Sequence, residues 1–265
     1  HIAISFDGIP ISYQVQGKGK PALVFVHGWC CDKSYWDAQV THLHQKYKIV
    51  TIDLAGHGKS GFGRTDWTMT AFGEDIVAVV DKLGLDQVIL VGHSMGGPVI
   101  LEAARRMPKR IVGLVGVDTF RNVERKRTQT QVDETHARFR ANFVEATRNA
   151  MRGDFAPTAD PALVEKVLAN MSACPPEVGL GAQKWYFDYV YINNELIRAL
   201  QEVQTPIRCI NSDRKPTNVE AAQRYAPSFE VVYMSGVGHF VMMEDPETFN
   251  RLLEETIQKF VDQKK

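Results

Sequence analysis

A serine lies at the centre of the pattern in this sequence that most clearly indicates catalysis. The segment Gly92–Gly96 reads Gly-His-Ser-Met-Gly and places Ser94 between an apolar run, Val88–Val91, and a helix-like run, Pro98–Arg106. Small residues around a serine permit a sharp strand-to-helix turn that exposes its hydroxyl. A helix that begins just beyond the serine directs free amides toward negative charge. The pattern therefore predicts that Ser94 is a nucleophile.

A histidine near the end of the chain is suited to activate that serine. A serine hydroxyl is a weak nucleophile until a nearby imidazole accepts its proton. The sequence contains eight histidines, and His239 comes last, in the glycine-flanked segment Gly236–Phe240 after the final apolar run. A loop of this kind can reach the serine, so we predict that His239 is the general base.

Two backbone amides are predicted to stabilise an oxyanion. The segment His27–Trp29 follows the apolar run Ala22–Val26. In parallel sheets that carry a nucleophilic serine on a strand-to-helix turn, the loop after such a strand supplies one amide, and the residue after the nucleophile supplies the other. The sequence therefore predicts an oxyanion hole formed by the amides of Trp29 and Met95.

The elements that must position these residues follow from the apolar pattern. Short runs rich in valine and isoleucine are typical of strands buried on both faces of a parallel sheet. Helical patterns such as Met69–Leu83 separate them, which predicts an α/β fold with a mostly parallel central sheet flanked by helices. Ahead of these runs, Ile2–Phe6 and Ile9–Gln16 are expected to form an antiparallel hairpin. The runs predicted as buried strands are Ala22–Val26, Lys48–Ile52, Val88–Val91, Ile111–Val117, Ile207–Ile210 and Glu230–Met234.

The alternation of strands and helices is interrupted once. Residues 120–204 contain only helix-like, charge-rich segments such as Thr128–Met151 and Pro161–Met171. We therefore predict a helical cap over residues 120–204, inserted between two strands of a core domain formed by residues 1–119 and 205–265. An aromatic cluster in this segment favours packing within the cap, although one or two of its rings could line an acyl pocket. The candidate pocket residues are Trp29, Trp185 and Tyr186.

The charge composition indicates which kinds of molecule this protein could bind. Lysine plus arginine and aspartate plus glutamate both number 31, so no global field attracts nucleic acid or an anionic membrane. A small neutral substrate is expected, with the protein a monomer or a homodimer. No apolar stretch reaches the length of a membrane helix and no signal-like segment precedes Gly8, which favours a soluble cytoplasmic protein, with a mature secreted form left open.

The four cysteines lack the spacing of metal ligands, and we expect free thiols. The chemistry predicted for Ser94 requires neither a metal nor an organic cofactor.

Taken together, the motifs resemble those of the α/β-hydrolase superfamily, in its carboxylesterase, lactonase and haloperoxidase-like branch. The matching segments, in the same order, are His27–Trp29, Asp53–Ser60, Gly92–Gly97 and Gly238–His239. The resemblance implies a serine hydrolase that cleaves a small ester or lactone, including an N-acyl homoserine lactone, through an acyl-enzyme. A haloperoxidase-like perhydrolase and a hydrolase-derived small-molecule receptor are the alternatives. We interpret Asp53–Ser60 as structural.

The acid that orients the histidine departs from the family pattern. Thr205–Thr217 aligns on its two prolines with the segment that carries this acid in most relatives, and the alignment puts Lys215 at the expected aspartate. A lysine cannot stabilise an imidazolium, so another carboxylate must serve. The candidates are Asp118, which ends the run Ile111–Val117, and Asp213. We favour Asp118, because the proline-anchored alignment leaves little room for a shifted loop.

Overall fold

An eight-stranded sheet lies at the centre of the computed structural model, which describes residues 1–263. The strand order is β1-β2-β4-β3-β5-β6-β7-β8; β3 to β8 run parallel, and β1 and β2 form an antiparallel hairpin that joins the sheet through β4. The predicted α/β fold and the predicted hairpin are therefore confirmed. The strands are β1 Ile2–Ile4, β2 Pro10–Gln16, β3 Ala22–Val26, β4 Ile49–Ile52, β5 Val88–His93, β6 Ile111–Val117, β7 Ile207–Ser212 and β8 Glu230–Met234.

The register of the central strands decides where the site forms. Every residue of β3, β5 and β6 is buried, as expected for strands covered on both faces. Val26 is paired with Gly92, and His93 is paired with Val117. The carboxyl ends of the three strands therefore meet at one edge of the sheet, where the chain continues into the turns that carry residues 27–29, 94 and 118.

Helices cover both faces of the sheet. Met69–Lys82 and Gly96–Arg106 end within one residue of the predicted bounds, whereas the short helix Asp37–Leu43 was not predicted. Its segment carries few apolar residues, so periodicity gave no signal. The helices are α1 Asp37–Leu43, α2 Met69–Lys82, α3 Gly96–Arg106, α4 Gln129–Ala141, α5 Phe143–Arg152, α6 Pro161–Ser172, α7 Pro176–Phe187, α8 Glu195–Glu202, α9 Val219–Gln223, α10 Val241–Glu244 and α11 Pro246–Gln263.

The segment between β6 and β7 is helical, as predicted. It contains α4 to α8 and a π-helical turn, Asp188–Ile192. The single helix expected over Thr128–Met151 is divided at Asn142, because that residue adopts an extended backbone (φ −154°) and its side chain accepts a hydrogen bond from the amide of Glu145. The division into a core domain and a cap over residues 120–204 stays a prediction.

Polar contacts attach this helical segment, residues 120–204, which we call the cap, to the elements around the sheet. The indole of Trp29 donates to the carbonyl of Gly179 (2.7 Å), and the hydroxyl of Tyr189 donates to the carboxylate of Glu102 (2.7 Å). The four cysteines are free thiols, as expected, and all are buried. Within residues 1–263, no helix combines the length and the apolar character needed to cross a membrane.

Candidate active site

Ser94 occupies a turn that its neighbours force to be tight. Its backbone lies in the left-handed region (φ +54°), which costs a non-glycine residue about 1–3 kcal/mol. A Cβ at Gly92 would lie 2.4 Å from the carbonyl oxygen of Gly96, and one at Gly96 would lie 2.8 Å from that of Val26. The glycines of the motif are therefore sterically required. The resulting turn places Ser94 on the wall of a cavity of about 220 Å³ at the carboxyl edge of the sheet.

The carboxylate of Asp118 lies against the imidazole of His239. Its Oδ2 forms a short hydrogen bond with Nδ1 of His239, and its Oδ1 accepts one from the amide of Ser212 (2.9 Å). Burial alone would raise the pKa of Asp118, but the hydrogen bond and charge of His239, with those of Arg121, lower it to about 2. An ionised carboxylate at Nδ1 fixes the tautomer that leaves Nε2 free to accept a proton.

His239 lines the same cavity as Ser94 and Asp118. Among the described residues, the Ser94 hydroxyl makes no hydrogen bond to the imidazole. Hydrogen bonds of this kind commonly tighten only when the substrate is bound. The three side chains are therefore grouped around one space in which a carbonyl carbon could be attacked.

Two backbone amides close to Ser94 in the fold have free hydrogens. Within residues 1–263, neither the amide of Trp29 nor that of Met95 donates a hydrogen bond. The loop that carries Trp29 lies close to the serine, since a Cβ at Gly28 would be 3.2 Å from Cβ of Ser94. His27 holds that loop: its Nδ1 donates to the carbonyl of Gly28 (2.8 Å) and its Nε2 accepts from the amide of Leu54 (3.0 Å). Burial lowers the pKa of His27, which keeps the ring neutral for this double role.

Glu244 was not singled out from the sequence. Its carboxylate accepts hydrogen bonds from the amides on both sides of His239, those of Gly238 (2.8 Å) and Phe240 (3.2 Å), and from the cap amide of Ala156 (3.0 Å). The amide of His239 donates to a cap carbonyl, that of Asp154 (2.7 Å). The loop of the base is thus fixed by a glutamate and by the cap, and no local sequence pattern marks either contact.

His93 was also missed as a positioning residue. Its Nε2 donates to the carbonyl of His239 (3.0 Å), and the two ring centroids lie 4.7 Å apart. Burial, and then the positive charge of His239, lower the pKa of His93 to about 3. The ring therefore stays neutral. The sequence signal was its place directly before the serine, at the end of β5.

The remaining residues predicted from the sequence are the alternative acid and the aromatic candidates for the pocket. Asp213 is exposed and accepts from the hydroxyl of Ser235 (2.5 Å), while Lys215 pairs with Asp154 (3.1 Å). Of the aromatic candidates for the pocket, Tyr186 lines the cavity. Within the described chain, the rings of Trp29 and Trp185 do not: Trp29 packs edge-on against Phe139, and Trp185 lies under the ammonium of Lys184.

The Asp53–Ser60 segment forms a buried polar support beside the site. Asp53 pairs with Lys33 and accepts from the amide of Lys59 (3.0 Å). The hydroxyl of Ser60 donates to the carbonyl of Asp53 (2.6 Å) and accepts from the amide of Ser12 (2.8 Å). Asp53, Lys59 and Ser60 do not line the cavity that holds Ser94, among the residues described there.

Solved structures share this fold at low sequence identity. An esterase from Exiguobacterium antarcticum has a TM-score of 0.86 at 19% identity, covering 97% of this chain and 98% of its own. A thermophilic esterase from Thermogutta terrifontis gives 0.83 at 23%, covering 98% of each chain. An N-acyl homoserine lactone degrading enzyme gives 0.79 at 22%, covering 96% of this chain and 99% of its own.

Of three sequence relatives, two are similar over shorter segments and one over most of this chain. A non-heme haloperoxidase from Rhodococcus erythropolis is 38% identical over 110 residues, 41% of this chain and 39% of its own. A bifunctional esterase/perhydrolase from Acinetobacter calcoaceticus is 35% identical over 104 residues, 38% of each. A dihydrolipoyllysine-residue acetyltransferase component of the acetoin cleaving system from Pseudomonas putida is 26% identical over 93% of this chain and 66% of its own. In each of these three matches, the chain spans less than two thirds of the relative's length.

The family itself is shown by a match over most of the chain. The model of the alpha/beta hydrolase family matches residues 23–252, which include the serine turn, both strand-end loops and the segment of the base. This confirms the resemblance inferred from the motifs. The chain belongs to the alpha/beta hydrolase family.

Proposed function

We propose that this protein is a serine hydrolase that cleaves small carboxylic esters or lactones through an acyl-enzyme intermediate. The observation that carries the proposal is the contact of the Asp118 carboxylate with Nδ1 of His239 at the cavity that Ser94 lines. That contact leaves Nε2 of His239 as the proton acceptor on the side of the nucleophile. The free amides of Trp29 and Met95 are the proposed oxyanion hole.

The proposed reaction has two similar halves. Nε2 of His239 accepts the proton of the Ser94 hydroxyl as the oxygen attacks the carbonyl carbon, and the amides of Trp29 and Met95 stabilise the oxyanion. The imidazolium, stabilised by Asp118, then protonates the leaving oxygen and the carbon–oxygen bond breaks. In the second half, His239 accepts a proton from water as the water oxygen attacks the acyl carbon. The imidazolium then returns that proton to the Ser94 oxygen as the ester bond to Ser94 breaks, which releases the acid and restores the neutral imidazole.

The size of the cavity supports a small acyl group. About 220 Å³ lies below the usual range of 300–1,000 Å³ for ligand pockets. Relatives named as an esterase/perhydrolase and a structural neighbour named as degrading an N-acyl homoserine lactone support ester and lactone carbonyls as the reacting groups. Lactone hydrolysis is the second candidate, because a cyclic ester presents the same carbonyl to the same groups. Perhydrolysis and binding without turnover are alternative outcomes of the tests.

The first test compares Ser94→Ala with Ser228→Ala, a control at an exposed loop serine. We expect the wild type and the control to hydrolyse p-nitrophenyl acetate with a burst of p-nitrophenol, and Ser94→Ala to lose at least about 1,000-fold in kcat/KM. A phosphonate ester should label one residue, identified by mass spectrometry as Ser94. Normal turnover by Ser94→Ala, or labelling elsewhere, would overturn the proposal.

The second test separates the substrates. Acid released from an N-acyl homoserine lactone is titrated beside that from a linear ester of equal acyl length. Faster lactone opening identifies a lactonase. Peroxide-dependent halide oxidation in the presence of a carboxylate identifies a perhydrolase, and stoichiometric binding without product identifies a receptor.

A further inference from the structure

The charges around the cavity do not balance. Its wall carries three cationic side chains, Arg121, Arg125 and Lys215, and two carboxylates, Asp118 and Asp154. One positive charge is therefore in excess at the cavity, although the formal charge of the whole chain is zero. A local excess of one sign at a cleft raises the local concentration of ligands of the opposite sign.

The ion pairs at the cavity show which of the three cationic side chains accounts for the excess positive charge. Arg121 pairs with Asp118, and Lys215 pairs with Asp154 at 3.1 Å. Within residues 1–263, the guanidinium of Arg125 forms no hydrogen bond and no ion pair. It lies 6.0 Å from the centroid of the Tyr191 ring, which also lines the cavity. Arg125 therefore presents an uncompensated, exposed guanidinium at the site.

We propose that Arg125 binds a carboxylate of the substrate, so that the preferred substrates are half-esters of short dicarboxylic acids or lactones that carry a carboxylate. This inference rests on the proposed hydrolase function. A guanidinium presents a planar fork of donors that matches a carboxylate in a bidentate pair. The amide side chain of Asn122 on the same wall adds a neutral donor. This proposal differs from the expectation based on net charge, which was a small neutral substrate, because it assigns a small anionic substrate.

The test uses two p-nitrophenyl esters of similar size, the anionic mono-succinate and the neutral butyrate. Arg127→Gln is the matched control, because Arg127 stacks on the Phe187 and Tyr191 rings and does not line the cavity within the described residues. We expect Arg125→Gln to raise KM for the succinate roughly 10- to 100-fold, as for loss of a charged hydrogen bond. The ratio of kcat/KM for the succinate to kcat/KM for the butyrate should fall at least about 10-fold in Arg125→Gln and stay near the wild-type ratio in Arg127→Gln. Salt should weaken the wild-type preference.

The outcomes separate this inference from the proposed function. An unchanged succinate-to-butyrate ratio in Arg125→Gln overturns the carboxylate site while leaving the hydrolase intact. If neither ester is hydrolysed, the binding of glutarate is measured by calorimetry. Binding by the wild type that is lost in Arg125→Gln supports the carboxylate site. Absence of binding to the wild type, or binding that Arg125→Gln retains, refutes it.

A separate cluster lies between the cap and the core. Cys30, His57 and Cys174 come from three distant segments, yet their ligand atoms all lie within 4.8 Å of one another, and all three residues are buried. Nδ1 of His57 donates to the carbonyl of Ala55 (3.0 Å), so the neutral ring carries its lone pair on Nε2. That Nε2 is buried and has no partner among the described residues.

We propose that this cluster binds a thiophilic divalent cation such as Zn²⁺ or Cd²⁺. Metal–ligand bonds of about 2.0–2.3 Å in a tetrahedral site place the ligand atoms roughly 3.5–4 Å apart, so the observed group needs little adjustment. Two thiolates and a neutral imidazole balance the charge of a divalent cation, which lowers the cost of burying it. Binding would release the two thiol protons. It would also join the cap, through Cys174, to the loop beside Trp29.

The test titrates the reduced protein with Co²⁺ and follows thiolate charge-transfer and tetrahedral d–d bands. Cys209→Ala is the matched control, since Cys209 is buried in β7 and lies outside the cluster. We expect one Co²⁺ per chain in the wild type and the control, displaced by Zn²⁺, and at least about 100-fold weaker binding in Cys174→Ala. No stoichiometric uptake, equal uptake by Cys174→Ala, or only a Cys30–Cys174 disulfide detected by mass spectrometry would overturn the proposal.

Discussion

The substitution Asp118→Asn tests the arrangement of the proposed site most directly. The wild-type carboxylate accepts from Nδ1 of His239 and from the amide of Ser212. In the variant, the side-chain oxygen remains the acceptor for Ser212, so the NH₂ group faces Nδ1. Nδ1 must then accept, and the neutral ring carries its proton on Nε2, where it cannot take one from Ser94.

The expected effect on rate and stability can be estimated. Loss of the correct tautomer in a serine hydrolase triad lowers kcat by about 10,000-fold, or about 5.5 kcal/mol of transition-state stabilisation. The pKa of Asp118 is lowered from 3.8 to about 2. Because the pKa is lower in the folded state, the ionised form contributes about 2 kcal/mol above pH 4, and this contribution is lost as the pH falls toward 2. The variant should therefore melt about 4 to 8 °C lower at pH 7.

The assay is kcat/KM for p-nitrophenyl acetate at pH 7.5, with circular dichroism melts to establish that the variant is folded. The matched control is Asp213→Asn, whose carboxylate faces Ser235 instead of the base. We expect the control to retain activity within about twofold, as for a surface substitution. If Asp118→Asn retained more than a tenth of the activity, or if Asp213→Asn lost its activity instead, the assignment of the acid would be refuted.

Three further predictions follow from the loop of the base and from buried histidines. Glu244→Gln turns an NH₂ group toward a backbone amide and should lower kcat about 10-fold with little change in KM. Glu247→Gln, at an exposed residue of α11, is the control and should leave kcat unchanged. Gly238→Ala puts a Cβ 2.3 Å from the carbonyl oxygen of Asp154, and we expect it to cost about 1–3 kcal/mol in urea melts and to reduce kcat. Gly153→Ala is the control, because its Cβ would lie at an ordinary contact distance, 3.8 Å from the carbonyl oxygen of Ala150; equal stability of the two variants would contradict the clash. Burial lowers the pKa of His57 and His93 to about 3, so as the pH falls the unfolded state binds protons on these residues before the folded state does. The free energy of unfolding should therefore fall by about 2–3 kcal/mol per pH unit below pH 6.5. A constant urea midpoint between pH 7 and 5 would refute this prediction.

The sequence predicted what local patterns control. The bounds of β3 and β6 agree with the apolar runs, because strands covered on both faces need continuous apolar residues. The bounds of β8 also agree, but the prediction that it is buried was wrong, because β8 is the edge strand and only Met234 in it is buried. The parallel order brings the ends of β3, β5 and β6 to one edge of the sheet, where Ser94 and Asp118 lie. Asp118 itself was chosen from the sequence because the proline-anchored alignment placed a lysine at the usual position of the acid. The roles assigned to these residues stay predictions.

Other features depend on contacts that no local pattern encodes. Glu244 accepts hydrogen bonds from backbone amides. Every non-proline residue has such an amide, so the sequence does not reveal which amides the carboxylate contacts. Cys30 and Cys174 are distant in sequence, and their proximity depends on how α6 and α7 pack over the core. Asn142 interrupts a run that propensity alone favours as one helix, because its side chain competes for a backbone amide.

The hydrogen bonds between residues 154–156 and the loop of His239 have a consequence for substrate entry. The amide of His239 donates to Asp154, and the amide of Ala156 shares the carboxylate of Glu244 with the same loop. A displacement of this part of the cap must break these bonds or carry the imidazole with it. If His239 is the base, as proposed, an opening at this point wide enough to exchange bound molecules would displace the imidazole from Ser94. The two side chains would be aligned again only after the cap had closed onto the loop.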